Sequence, residues 1–132
     1  MTGNSEQLSL IQDLKTIVGA KQLLTDSAKK QAYTKGWRFG SGEAIAVVRP
    51  ETLVEIWQVL KACVRADVAV IMQAANTGLT GGSTPNGNDY DRDIVIISTM
   101  RIDSIHLIDN AKQIVGLAGS TLFGLDDVLR PF

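Results

Sequence analysis

The stretch best suited to chemistry is QAANTGLTGGSTPNGN, residues 73 to 88, which follows the apolar run Val68 to Met72. It holds four glycines, three asparagines and three threonines, and no charged residue. Glycine and asparagine accept left-handed backbone angles that most residues avoid. Glycines also remove the side chains that would hold a ligand off the main chain. Successive N–H groups in such a loop form a concave donor surface suited to phosphate oxygens. Thr77, Thr80 and Ser83 add hydroxyl donors. With no lysine or arginine present, holding an anion here rests on hydrogen bonds more than on charge. That suits a diphosphate in the middle of a large cofactor better than a free triphosphate.

Familiar alternatives fail on residue type. A nucleotide P-loop needs lysine and then Ser or Thr after its last glycine, whereas Ser83 and Thr84 follow Gly82. Gly78, Gly81 and Gly82 have the wrong spacing for the dinucleotide GxGxxG fingerprint, and Pro85-Asn86-Gly87 reads as turns rather than as a helix start. A metal site needs clustered His, Cys or carboxylates, and none occurs in the loop before Asp89. The same composition also serves a surface loop of turn residues. The residues by themselves leave both readings open.

The elements that must position this loop follow from periodicity. Leu8, Ile11, Leu14 and Val18 recur at helical spacing, and Gly19 is a stop signal. Thr25 or Asp26 caps a short second helix ending near Gly36. Lys35 to Glu43 reads as a loop, and Ala44 to Pro50 as a buried strand closed by proline. Thr52 and Glu55 form a capping-box pattern. The expected apolar face of the next helix is Leu53, Ile56, Trp57, Leu60, Cys63 and Val64. Val68 to Met72 and Asp93 to Thr99 are two further strands, whose continuous apolar runs suggest a parallel sheet covered on both faces. After residue 100, two shorter strands flank Asp109-Asn110-Ala111-Lys112, a hairpin signal implying antiparallel pairing. Ser120 or Thr121 caps a last helix with Leu122, Leu125, Val128 and Leu129 on one face.

Strand, proline, capped helix, strand and glycine-threonine loop together resemble the first subdomain of the vanillyl-alcohol-oxidase-type FAD-binding fold, over roughly residues 20 to 132. Within it, LLTD (23 to 26), VLKACV (59 to 64), MQAANTGLT (72 to 80) and STPNGNDYDRDIVIIST (83 to 99) are similar to the bacterial quinone-dependent D-lactate dehydrogenases. The wider family usually has glycines where this chain has Ala74, Ala75 and Asn76; those three residues match the narrower group. The resemblance implies an α/β chain, α+β overall. Residues 1–43 would be N-terminal helices and loop, and residues 44–100 a first subdomain with a three-stranded parallel sheet and flanking helices. Residues 101–132 would begin an antiparallel second subdomain and stop inside it, leaving an incomplete PCMH-type FAD-binding domain.

For the site, the resemblance implies that Ala74, Ala75, Asn76, Thr77 and Gly78 contact FAD as one run, and Gly82 with Ser83 as a second. Some members attach flavin covalently through a histidine in this loop. None lies between residues 73 and 88, so dissociable FAD is expected. The implied parent reaction takes a hydride from the hydroxyl-bearing carbon of D-lactate to flavin, releases pyruvate and delivers electrons to a quinone. The family's substrate and proton-transfer groups lie beyond residue 132, so no catalytic residue is expected here and this piece alone should be inactive. The implied location is peripheral, on the cytoplasmic side of the bacterial inner membrane. Two other readings stay in view: another FAD-linked 2-hydroxy-acid oxidoreductase, and a non-catalytic ligand- or partner-binding module built on half of the fold. In a chain ending here, an uncovered second layer would favour self-association through exposed apolar surface.

Composition narrows the classes further. The 132 residues are 45% hydrophobic and 20% charged, an ordinary globular balance. Thirteen basic residues nearly cancel fourteen acidic ones, giving no field to attract nucleic acid or an anionic bilayer. A single cysteine, Cys63, excludes an internal disulfide and reads as a small core residue. No signal peptide or membrane-spanning run is evident. His106, the only histidine, is expected to face solvent on a strand, and Trp57 to lie in the core. Arg38 should stack on Trp37 or Phe39 at the surface. Asp89 to Asp93 should be a solvated turn rather than a cation site, with Tyr90 covering the edge of the sheet.

Overall fold

The computed structural model describes residues 3–132. Helix α1 (Asn4–Val18) stops at Gly19, whose N–H donates to the Lys15 carbonyl at 2.9 Å. Its buried side chains are Leu10 and Leu14, with Ile11, Ile17 and Val18 packed alongside. Leu8, expected on that stripe, is exposed. The residues spaced i, i+4, i+7 and i+8 from Leu10 make the fuller apolar stripe, and that one faces the core, with Leu10 and Leu14 buried and Ile17 and Val18 half-buried. A short 3-10 turn (Ala20–Gln22) leads into strand β1 (Leu23–Leu24), and helix α2 (Ser27–Thr34) follows. The Asp26 carboxylate caps α2 by accepting the Lys29 N–H at 3.2 Å.

Strand β2 (Ala46–Val48), helix α3 (Leu53–Arg65), strand β3 (Ala69–Gln73) and strand β4 (Ile94–Ser98) build the main layer. The sheet order is β1-β2-β4-β3. β4 pairs in parallel with β2 on one side and β3 on the other, while β1 adds an antiparallel edge on β2. All five β4 residues are buried. Alternation sends Val95 and Ile97 toward α1 and α3, in a cluster with Leu10, Leu14, Val59 and Cys63. Ile94 and Ile96 face the other way, against Val47 and Tyr33. Each such aliphatic side chain contributes roughly 1.5–3 kcal/mol when fully buried.

Two expectations are corrected. β3 is an edge strand, so Ala69, Val70 and Ile71 are half-buried and Met72 is exposed, unlike the strand covered on both faces that its composition suggested. On α3 the buried face is Val59, Ala62 and Cys63, and Trp57 is 56% exposed with the Lys61 ammonium 4.4 Å from its ring centroid. Leu53 and Val64 are exposed as well. The helix has apolar residues around most of its circumference. Val59, Ala62 and Cys63, with Leu60 beside them, fall on the side that meets the sheet, while Val54 and Val64 fall outside it. The Thr52–Glu55 capping box is formed as expected.

Strands β5 (Ile105–Ile108) and β6 (Gln113–Gly116) form the antiparallel hairpin, and helix α4 (Leu122–Leu129) is capped by Thr121. Asp109, Asn110 and Ala111 turn the hairpin with φ of 52, 53 and 64°. The Gly119 N–H donates to the Ile102 carbonyl at 2.8 Å, and a Cβ on Gly119 would meet the Thr99 carbonyl oxygen. Among the described residues, no helix is long and apolar enough to cross a membrane.

Candidate functional site

The loop leaves the end of β3 at Gln73, which is only 2% exposed. Its carboxamide nitrogen donates to two main-chain carbonyls, Tyr33 at 2.8 Å and Ser83 at 2.7 Å. Three residues on, Asn76 takes φ 55°, a left-handed angle asparagine tolerates. Its side chain donates to the Lys35 carbonyl at 2.9 Å and accepts the Ser83 hydroxyl at 2.8 Å. Two carboxamides thus repeat one connection: each joins the C-terminal end of α2 to Ser83.

A second set of contacts holds the far side of the loop. Thr84 and Pro85 are buried. Gly40 lies so close to Thr84 that a Cβ there would strike the Thr84 hydroxyl. The Gly87 N–H donates to the Ser41 carbonyl at 2.8 Å, and Gly42 bridges Gly87. The segment Phe39 to Gly42 is thereby packed closely against residues 81 to 87. The aromatic side chains of residues 37 to 39 stay outside: Trp37 is 82% exposed, and the Arg38 guanidinium sits 5.6 Å from the Phe39 ring centroid. Trp37, Lys35 and Gly36 share a shallow groove of about 630 Å³ with Ala75 and Asn76.

Between these anchors the middle of the loop is open. Ala74, Ala75, Thr77, Gly78, Leu79, Thr80 and Gly82 are exposed. Among the described residues, no protein group accepts the N–H groups of residues 75 to 83. The glycines divide by task. Gly81 has φ 76°, an angle the turn demands. Gly78 and Gly82 have ordinary angles; a Cβ on Gly78 would meet nothing within 4 Å, and one on Gly82 only the Thr80 hydroxyl at 3.8 Å. The fold does not need those two glycines, which keep the outer face of the loop clear.

The structure brings Asn76 and Ser83 into direct contact and places Ala74, Ala75, Thr77, Gly78 and Gly82 on the same open loop. The Ser83 hydroxyl hydrogen is committed to Asn76, so it is not the free donor its type suggested. The anchoring role of Gln73 was not visible in the sequence, because its two acceptors are main-chain carbonyls, one of them forty residues away.

The other polar residues have structural roles. Arg92 pairs with Asp67 and Asp91 at 2.8 Å each. Its hydrogen bond and charge hold the Asp91 carboxyl below the usual range, and the same bond raises Arg92. Among the described residues no group of three His, Cys, Asp or Glu could hold a metal ion. Tyr90 accepts the Asn86 N–H at 2.9 Å through its hydroxyl. Cys63 is fully buried, and burial pushes its thiol up to about 11. His106 is exposed on β5.

A sequence profile described as FAD binding domain matches residues 44–132. The chain belongs to the FAD binding domain family. Within this FAD binding domain family, the chain is 62% identical to a quinone-dependent D-lactate dehydrogenase of Haemophilus influenzae, over 93% of its own length and 22% of that protein. It is 53% identical to the protein of the same name from Escherichia coli, over 96% of its length and again 22% of the relative. The chain thus spans about a fifth of the curated relatives it matches. The solved structure of p-cresol methylhydroxylase with substrate bound superposes with a TM-score of 0.79 at 17% identity, covering 98% of this chain and 25% of that one. At that identity the likeness speaks for the fold alone.

The donor set fits the diphosphate of FAD. The FAD binding domain offers a run of main-chain N–H groups, no competing carboxylate in the loop, and two glycines whose open sides admit a ligand to the backbone.

Proposed function

We propose that this chain supplies the diphosphate-holding part of the FAD site in a quinone-dependent D-lactate dehydrogenase, an enzyme that oxidises D-lactate to pyruvate and passes the electrons to a quinone. The observation that carries this reading is the likeness of nearly the whole chain to two enzymes of that name. In it, Ala74, Ala75, Asn76, Thr77 and Gly78 form the first FAD-contacting run, and Gly82 with Ser83 the second. Their main-chain donors face the diphosphate, and the carboxamides of Gln73 and Asn76 hold the two runs at fixed separation.

FAD, when bound, supplies the two-electron acceptor for the reaction. The loop binds and orients; it holds no acid or base and moves no proton. With no histidine in residues 73 to 88, the cofactor is held without a covalent bond to this loop. The groups that bind the lactate carboxylate and remove the hydroxyl proton belong to the rest of the enzyme. So does the cover for the exposed apolar residues Leu122, Phe123 and Phe132. The division into residues 1–43, 44–100 and 101–132 follows the same reading, as does a respiratory, peripheral role at the cytoplasmic face of the inner membrane.

The test is an assay of the full-length flavoprotein with a soluble quinone analogue and D-lactate, L-lactate or D-2-hydroxyglutarate. Quinone reduction that requires D-lactate is expected. Turnover of a different 2-hydroxy acid in preference to D-lactate would replace the substrate assignment, and failure of the purified protein to take up added FAD would remove the reading altogether.

A further inference from the structure

Gln73 stands outside both FAD-contacting runs, yet it is the most buried polar side chain at the loop. It lies at the last position of β3, paired in register with Ser98. Its side chain turns inward beneath the loop and divides two N–H bonds between Tyr33 and Ser83. Tyr33 belongs to α2, which precedes the family-matched region of residues 44–132. Ser83 belongs to the second run. One amide therefore fixes three things at once: the end of the strand, the end of α2, and the point where the loop returns.

Asn76 makes the same connection from above, through Lys35 and the Ser83 side chain. The duplication separates their duties. Asn76 uses the Ser83 hydroxyl, which a substitution can remove. Gln73 uses the Ser83 main-chain carbonyl, which no substitution at 83 removes. Buried amides satisfied on both donor hydrogens are costly to disturb, because each carbonyl left behind loses its partner without gaining water.

We propose that Gln73 is a positioning residue for FAD: by joining Tyr33 and Ser83 it sets the spacing of the two main-chain runs that grip the diphosphate. The proposal rests on the reading of this loop as the diphosphate site. It also makes the α2 end, upstream of the family-matched region, part of the cofactor site.

The experiment uses the full-length protein, stripped of flavin and titrated with FAD and with FMN, which has one phosphate and no diphosphate bridge. Gln73→Met keeps the volume and removes both donors. Gln73→Asn keeps the amide but is one methylene too short to reach both carbonyls. The expected result for either variant is an FAD dissociation constant raised on the order of tenfold, with that for FMN changed less than about twofold, since both lost bonds bear on the diphosphate geometry alone. Ser83→Ala, which leaves the Gln73 bonds in place, is measured alongside and should weaken FAD less. An equal loss for FAD and FMN, or no loss for either, overturns the proposal. Failure of both Gln73 variants to fold assigns the residue to the fold and overturns it too. Gly78→Glu is the control for the underlying reading. If that variant keeps its FAD, the loop is not the diphosphate site. If it loses FAD while the Gln73 variants keep theirs, the site stands and only the positioning role falls.

Discussion

Asn76 and Ser83 sit on opposite limbs of the loop and are joined side chain to side chain, the Ser83 hydroxyl donating to the Asn76 carboxamide oxygen at 2.8 Å. The contact closes the loop across its base while leaving residues 77 to 82 to project. It ties a stretch with the composition of a flexible linker into a closed loop whose main-chain N–H groups have no protein acceptor among the described residues.

Asn76→Ala should therefore be costly. The variant loses bonds to Lys35 and Ser83 and forces alanine to φ 55°. On the order of 2 kcal/mol of stability is expected to go, with weaker FAD retention. Asn76→Gly restores the backbone freedom but not the bonds and should recover part of the loss. Urea denaturation of the three proteins checks the order; equal stability of wild type and Asn76→Ala would show that the bonds do not hold the loop.

The division of labour among the glycines gives a paired test. Gly78→Ala meets no protein atom, so the flavin-free protein should stay within about 0.5 kcal/mol of wild type while FAD affinity falls. Gly81→Ala places a side chain at φ 76° and should destabilise the flavin-free protein by roughly 1 kcal/mol or more. Melting curves with and without FAD separate the two behaviours. An unstable flavin-free Gly78→Ala would mean that the fold needs this glycine after all.

Cys63 makes stability depend on alkaline pH. Burial pushes its thiol up to about 11, against 9.0 for a free thiol. The neutral form is favoured by burial, so the contribution is complete below pH 9 and is lost as pH rises from 9 through 11. It amounts to roughly 2–3 kcal/mol. Unfolding free energies of wild type and Cys63→Ala, measured from pH 7 to 11, should fall more steeply for wild type above pH 9. Parallel curves would refute the linkage. The thiol should also resist alkylation at pH 8 until the protein unfolds.

Thr52 accepts the Glu55 N–H at 3.1 Å, and the Glu55 carboxylate accepts the N–H groups of Glu51 and Thr52. Thr52→Ala should cost about 1 kcal/mol and Thr52→Ser much less. Thermal unfolding decides this, and identical melting points for all three would show the cap to be idle.

Much of this was legible in the residues. Gly19, Thr52 and the pairs Thr25–Asp26 and Ser120–Thr121 announced helix ends, because capping is a local exchange between neighbours, and the structure chose Asp26 and Thr121. Asp109 to Lys112 announced the hairpin for the same reason. β1 did not announce itself: two leucines are too short for any period, and only pairing with Val47 and Val48 makes them a strand. Trp57 was misplaced because α3 carries more apolar residues than its buried face can hold, and position around the helix chose between them: Val59 is buried, while Val54 and Val64 are as exposed as Trp57. At the site, residue types suggested main-chain donors. The bonds that shape the loop were hidden, since an amide side chain can reach any carbonyl and nothing in the sequence says which.

The order of the sheet has a consequence for biosynthesis. β4 occupies the place between β2 and β3 but is made after both. A ribosome that has released Gln73 needs about 1 to 5 s more to reach Ser98. Through that interval β3 has no ladder to join, and β2 has only the two residues of β1. The loop joining β3 to β4 is thus also a delay line in translation, and its length sets how long those strands stay exposed to the wrong neighbours.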